Sequence, residues 1–368
     1  MTDEIADLIP FWTSQVMRKE SLLFIAESER EPATATLLFP PDRIAMLGSA
    51  DGVAVYTEGE DYTVDQPAGR LYLTPRSRIP QVTRGALYPS ADPDGAGFMH
   101  VRGDPATFML CAEGAVFHQQ QTVVTYAHAP SVWSGYVPEY AGGALPRTLD
   151  RLHRRAPLTV CVAGDSISEG YNASGFVGAS PAQPPYATLV AAGLEQVYRS
   201  PVTLHNFAQA GSASDAAVYT ADRIAGAQPQ LVIVAFGMND AGYMDADEFG
   251  ANIRALMAFI RRTAPATEFV LVSSMLPHPD WHYTVMERFP AYREALASLC
   301  GAGVVLADMT SLWRDVLTRK SVYDLTGNGI NHPNDFGHRL YAQVILALLV
   351  DAWDRDPASR PSGAPART

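Results

Sequence analysis

The chain has 368 residues, more than one hydrophobic core usually serves, so two domains are expected. Apolar residues make up 47% and charged residues 18%, ordinary proportions for a soluble globular protein. The formal net charge of -12 argues against a nucleic-acid partner, because phosphate-backbone affinity needs clustered Lys and Arg.

The first residues, MTDEIADLIPFW, are acidic and contain no apolar leader, which points to a cytoplasmic location. No window approaches 18 uninterrupted apolar residues, so no membrane span is expected. Up to residue 140, short β-favouring runs alternate with turn-rich stretches: Ser21–Ala26, Ala35–Phe39, Val53–Tyr56, Arg70–Leu73, Phe108–Cys111 and Thr122–His128. Pro89–Gly97 is one of the turn-rich stretches. Short strands at this spacing predict a β-sandwich or jelly-roll-like domain over 1–140. Residues 141–156 close an irregular connection rich in Pro, Gly and Tyr and are expected to be a linker.

From residue 157 the pattern changes to alternating strands and helices. Strands are predicted at Leu158–Ala163, Val202–Asn206, Leu231–Phe236, Glu268–Ser273 and Val304–Asp308. Helices are predicted near 184–198, 215–226, 246–263, 284–299, 309–319 and 335–354. Near-continuous apolar strands between amphipathic helices imply a parallel five-stranded sheet covered on both faces over 157–355. In such an α/β sheet, ligands gather at the carboxyl ends of the strands. The Pro-, Ala- and Ser-rich tail 356–368 is expected to be disordered. Three scattered cysteines, Cys111, Cys161 and Cys300, fit neither a disulfide framework nor a zinc site.

Four segments at predicted strand ends can carry chemistry. The first strand runs into Gly164-Asp165-Ser166, which places a hydroxyl where a helix can begin; a capped turn is the simpler reading of this triplet alone. After the second strand, Gly211 lets the backbone approach a ligand and offer its N–H, although a turn glycine would look the same. After the third, Asn239 supplies an amide that donates without acting as a base, while Asp240 reads as a cap. After the last, Pro333 holds His332 in an extended loop where a near-neutral imidazole suits a general base. Asp335 reads as the N-cap of the final helix, and His338 as structural.

In their order and placement, these four segments resemble the SGNH (GDSL-type) serine hydrolases, over about 157–355. The resemblance implies a three-layer αβα, flavodoxin-like catalytic domain. It also implies a Ser166 nucleophile, a His332 base, and an oxyanion hole from Ser166, Gly211 and Asn239, with no cofactor and no metal. One position departs from the family pattern: the acid usual three residues before the histidine is here Gly329. Three groups compete to orient His332: Asp324 through the glycine-rich loop, placed first; a backbone carbonyl; or the side chain of Asn328.

The segment His278-Pro279-Asp280-Trp281-His282 carries ligand-type residues, but a polar rim loop explains it better than a metal site. Trp281 and Tyr171 can form an apolar platform for a sugar or acyl group, or serve as ordinary packing. The resemblance implies hydrolysis of short-chain acyl esters, foremost O-acetyl groups of a carbohydrate or related small molecule. The alternatives are an acyltransferase, a longer-chain lipase or thioesterase, and a binding module with a decayed centre. Oligomers are compatible with all of these.

Overall fold

The computed structural model describes residues 3–90, 98–130 and 132–351. The expected tail 356–368 and most of the turn-rich stretch 89–97 lie outside them. A four-residue helix, α1 (Asp3–Ala6), opens the chain. Ten strands follow: β1 (Val16–Leu23), β2 (Ile25–Ala26), β3 (Thr34–Thr36), β4 (Pro41–Ser49), β5 (Tyr62–Asp65), β6 (Arg70–Leu73), β7 (Val82–Thr83), β8 (Phe98–Val101), β9 (Asp104–Leu110) and β10 (Gln121–His128). A one-turn helix, α2 (Arg84–Leu87), lies between β7 and β8 and is capped by Thr83.

The strands form a three-stranded antiparallel sheet in the order β1-β10-β4, a five-stranded sheet in the order β5-β6-β3-β2-β7, and the β8-β9 hairpin. One run of chain serves both larger sheets, passing from β1 to β2 at the fully buried Phe24. In β10 buried and half-buried residues alternate, as a half-covered strand requires. Val53–Tyr56 is not a strand: Val53 and Val55 face solvent, and only the Gly48–Val55 bridge forms. Its β-branched residues match the composition of a strand without the burial that makes strands favourable.

The expected linker contains a helix, α3 (Pro146–His153). Proline stands at its first position, and the buried carboxylate of Glu268 accepts the N–H groups of Arg147 and Thr148 at 3.1 and 2.8 Å. Leu145, Leu149 and Leu152 anchor it to the core, so this connection is fixed rather than irregular.

The α/β half contains β11 (Leu158–Gly164), β12 (Val202–Asn206), β13 (Leu231–Ala235), β14 (Glu268–Val272) and β15 (Val304–Ala307). All neighbours are parallel, in the order β12-β11-β13-β14-β15. Every residue of β13 and β14 is buried, which follows from cover on both faces. The helices are α4 (Ser166–Glu169), α5 (Tyr186–Tyr198), α6 (Val218–Gly226), α7 (Ala246–Thr263), α8 (Arg288–Ser298), α9 (Met309–Val316), α10 (Val322–Leu325) and α11 (Asp335–Leu349). On one side α5 packs on α11; α6, α7 and α8 pack in sequence to make the other layer. In α7 the period of Phe249, Ile253, Leu256, Met257 and Ile260 fixes the buried face. Asp245 caps its start, and Arg261 and Arg262 stand in its last turn, where the helix dipole favours cations.

Asn334, not Asp335, caps α11: its side chain accepts the Gly337 N–H at 3.0 Å. Asp335 is instead the first helical residue, and its carboxylate accepts the Ser174 N–H at 2.7 Å. The β-rich region and the α/β domain share one continuous apolar core. Among the described residues, no helix is long and apolar enough to cross a membrane.

Candidate active site

The order of the parallel sheet places its topological switch beside β11, and Ser166 stands just past the carboxyl end of that strand. Gly164 is required there, since a Cβ would lie 2.7 Å from the Ala235 carbonyl. Asp165 turns the strand into α4 by accepting the Ile167 N–H at 2.9 Å. Burial pushes the Asp165 carboxyl up to about 7, against the lowering effect of that hydrogen bond.

Ser166 Oγ lies 2.8 Å from His332 Nε2. The histidine is carried by a loop closed on itself: Gly327 N–H donates to the His332 carbonyl at 2.8 Å, and Thr326 bridges Pro333. Inside the loop, the Asn328 carbonyl oxygen accepts the N–H groups of Ile330, Asn331 and His332 at 2.9, 3.0 and 3.1 Å. Those three donors fix which way the amide faces. Its nitrogen therefore points to Asn331 Oδ1 and Glu113 Oε1, both at 2.9 Å, and lies 3.2 Å from His332 Nδ1.

Glu113 Oε1 lies 2.9 Å from His332 Nδ1. A carboxylate there can only accept, so the Nδ1 proton belongs on the imidazole and Nε2 is left to accept from the serine hydroxyl. Burial pushes the Glu113 carboxyl up, but the hydrogen bond and charge of His332 and the hydrogen bond from Asn328 outweigh it. The group is held below its ordinary range.

The loops after β12 and β13 are tied to each other and to α4. Ala210 N–H donates to Glu169 Oε2 at 2.6 Å, and Asn239 Nδ2 donates to the Ser212 carbonyl at 2.9 Å. Buried Asp240 accepts the N–H groups of Ser214 and Gly237 at 2.8 and 3.0 Å, so it fastens these two loops. Gly211 adopts φ +76°, a conformation that favours glycine.

Ser166, Gly211, Asn239 and His332 thus line one cleft of about 340 Å³, together with Glu113, Tyr171 and Trp281. The Tyr171 ring is centred 5.0 Å from the imidazole, and Trp281 stacks on Tyr283 at 5.2 Å. The β8-β9 hairpin holds the Trp281 loop. Arg102 N–H donates to the Asp280 carbonyl at 2.7 Å, and the Arg102 guanidinium binds the carbonyls of Trp281 and Thr284.

Asp324 does not orient His332. One of its oxygens accepts the Leu23 N–H at 2.7 Å, and the other accepts the Ser321 N–H at 2.9 Å and faces Lys320 Nζ at 3.4 Å. The residue is the acid of a capping box on α10, spent on a helix start and a buried ion cluster. The Asn328 amide does reach the ring, its nitrogen lying 3.2 Å from His332 Nδ1, while it also holds the loop and Glu113. Glu113 lies outside every motif in the chain and was not legible as a site residue.

His278 and Asp280 are held by Tyr88, whose hydroxyl lies 3.1 Å from His278 Nε2 and donates to Asp280 at 2.8 Å. His338 bridges Tyr186 N–H and the Tyr171 carbonyl, a structural role behind the cleft.

Among known proteins, residues 162–340 match the model of the GDSL-like Lipase/Acylhydrolase family. No match was found among curated protein sequences. Similar solved structures include a two-domain esterase active on acetylated mannans: 21% identity, 64% of this chain and 60% of that chain, TM-score 0.48. The match therefore spans under two thirds of that esterase. An acetyl xylan esterase from Geobacillus stearothermophilus matches at 19% identity over 52% of this chain and 94% of its own, TM-score 0.42. A lipase from a goat rumen metagenome matches at 14% identity over 52% and 97%, TM-score 0.42. Over residues 162–340 the chain thus carries a GDSL-like lipase/acylhydrolase domain.

Proposed function

We propose that the protein hydrolyses short-chain acyl esters, foremost O-acetyl groups of a carbohydrate or related neutral small molecule, through an acyl-enzyme on Ser166. The observation that carries this reading is the 2.8 Å contact between Ser166 Oγ and His332 Nε2 in a cleft that also presents Gly211 and Asn239.

His332 Nε2 takes the Ser166 proton as Oγ attacks the ester carbonyl. The negative charge that develops on the carbonyl oxygen is met by the N–H groups of Ser166 and Gly211 and by the Asn239 amide. One amide hydrogen of Asn239 is already held by the Ser212 carbonyl, which aims the other. The imidazolium then protonates the leaving alcohol. Water, activated by the same nitrogen, attacks the acyl-serine and releases the acid.

Two features of the cleft wall support a neutral, compact substrate. Tyr171, Trp281 and Tyr283 supply aromatic faces suited to a sugar ring or a short acyl group. Its charged side chain among the described residues, apart from His332, is the Glu113 carboxylate, with no Lys or Arg to receive phosphates. This disfavours acyl-coenzyme A thioesters.

Turnover of p-nitrophenyl acetate by the wild type and Ser166→Ala tests the reading. The variant should lose about 10³-fold or more in kcat. Undiminished turnover would overturn the mechanism, and a rise in kcat/KM with acyl chain length would transfer the assignment to a lipase or thioesterase.

A further inference from the structure

The family's acid position is occupied here by Gly329, and the structure gives the reason. Gly329 adopts φ +80°, and a Cβ on it would lie 2.6 Å from Phe117 Cζ and 3.0 Å from the Leu110 carbonyl. Both obstructing groups belong to the N-terminal region, at the end of β9 and in the loop that follows. This region fills the space from which an acid three residues before the histidine would project. The same loop carries Glu113.

The loop is anchored to the α/β domain on both sides of Glu113. Ala112 N–H donates to the Asn328 carbonyl at 3.2 Å, and the Gly114 carbonyl accepts from Asn172 Nδ2 at 3.2 Å. Between these anchors, Glu113 Oε1 takes the Asn328 amide and faces His332 Nδ1, each at 2.9 Å. A side chain still half exposed to the cleft is thereby held in one geometry at the histidine.

We propose that Glu113 is the positioning carboxylate of His332, so that the N-terminal region completes the active site by supplying the acid that the α/β domain lacks. This inference rests on Ser166 and His332 acting as nucleophile and base. The carboxylate holds the proton on Nδ1, which frees Nε2 to receive the serine proton. It also balances the charge of the imidazolium formed when Oγ attacks. No proton need pass to Glu113 at any step. The N-terminal region is then part of the catalytic apparatus rather than an appended module, and docking of the two regions is a condition of activity.

The test compares Glu113→Gln and Glu113→Ala with the wild-type full chain, using p-nitrophenyl acetate across pH. Glutamine keeps the shape and one acceptor oxygen but removes the charge. We expect kcat to fall about 10²-fold in Glu113→Gln and further in Glu113→Ala, with KM within about threefold of wild type. The acidic limb of kcat/KM should move to lower pH in both, because the imidazolium has lost its counter-charge. The downfield Nδ1 proton resonance of His332 should shift or vanish. A half-exposed side chain contributing only to folding would change none of these three readouts.

Wild-type kcat and an unmoved acidic limb in both variants would overturn the proposal. If Ser166→Ala and His332→Ala are dead while the Glu113 variants are normal, only the role of Glu113 falls. If Ser166→Ala remains active, the hydrolytic reading fails first and takes this inference with it.

Discussion

Replacing Asn328 with alanine removes the side chain that holds the histidine loop in shape. The amide oxygen accepts three backbone N–H groups, from Ile330, Asn331 and His332, and the residue is 1% exposed. Alanine leaves all three donors without a protein partner. A buried donor stranded in apolar surroundings costs about 1–3 kcal/mol; here the vacated space borders a polar cleft that admits water, so the low end applies. About 1 kcal/mol for each donor gives about 3 kcal/mol in all, less whatever the neighbouring bonds share. Unfolding entropy near 2.1 cal/mol/K per residue over 368 residues turns this into a fall of about 4 °C in Tm. The kinetic effect should be larger than the stability effect. His332 loses the bond that sets its backbone, and Glu113 loses the amide that steadies its carboxylate. A kcat loss of about 10²-fold with KM little changed is expected, since a displacement of about 1 Å at a reacting group costs that much. Scanning calorimetry and p-nitrophenyl acetate kinetics on the same preparations provide both numbers. A variant with unaltered Tm and kcat would refute the reasoning, because three buried donors would then have to be satisfied without Asn328.

Two further substitutions probe the frame around the site. Lys320 Nζ is fully buried, 2.7 Å from Glu20 Oε1, 3.4 Å from Asp324 Oδ2 and 2.8 Å from the Thr36 carbonyl, so it joins the two halves of the chain. Lys320→Met strands two buried carboxylates and should cost about 3–5 kcal/mol, whereas Lys320→Met combined with Glu20→Gln should recover part of it; a single variant as stable as wild type in thermal unfolding would contradict this. Burial pushes the His278 imidazole down to about 4, with the Asp280 carboxylate opposing. Below the ordinary histidine value of 6.5 the unfolded chain takes a proton that the folded one refuses until about 4, so stability falls as pH drops through this window, by up to about 3 kcal/mol for this residue. His278→Asn can still accept the Asp280 N–H but has no proton to take, and its Tm should drop less between pH 7 and pH 4.5; an identical drop in both proteins would refute the assignment.

The α/β half was open to sequence reasoning because its signals are local. Continuous apolar runs marked β13 and β14, and the helix expected near 246–263 is α7, Ala246–Thr263. The motifs after β11, β12 and β13 came together because strand ends in a parallel sheet share one edge, and the loop before α11 brings His332 to the same cleft. The β-rich half was less open, since short strands draw their stability from partners distant in sequence. β4, with its mixed Asp-Arg-Ile-Ala-Met pattern, forms an edge strand of the three-stranded sheet without a clear alternation, while the β-branched Val53 and Val55 stand in solvent. The placing of Asp324 had a local remedy, because Ser321 and Asp324 stand at capping-box spacing and that spacing already accounts for the carboxylate.

Glu113 had no such signal, for its role is defined only across the contact between the two halves. Gly329 nevertheless held half of the inference. At φ +80°, and with Phe117 against its Cα hydrogens, it can present no acid, so any carboxylate at Nδ1 must arrive from another segment. The segment that blocks Gly329 is also the one that carries the replacement. Exclusion and supply are therefore two consequences of one docking contact, and losing that contact would take the acid from the histidine without altering any residue of the family's own motifs.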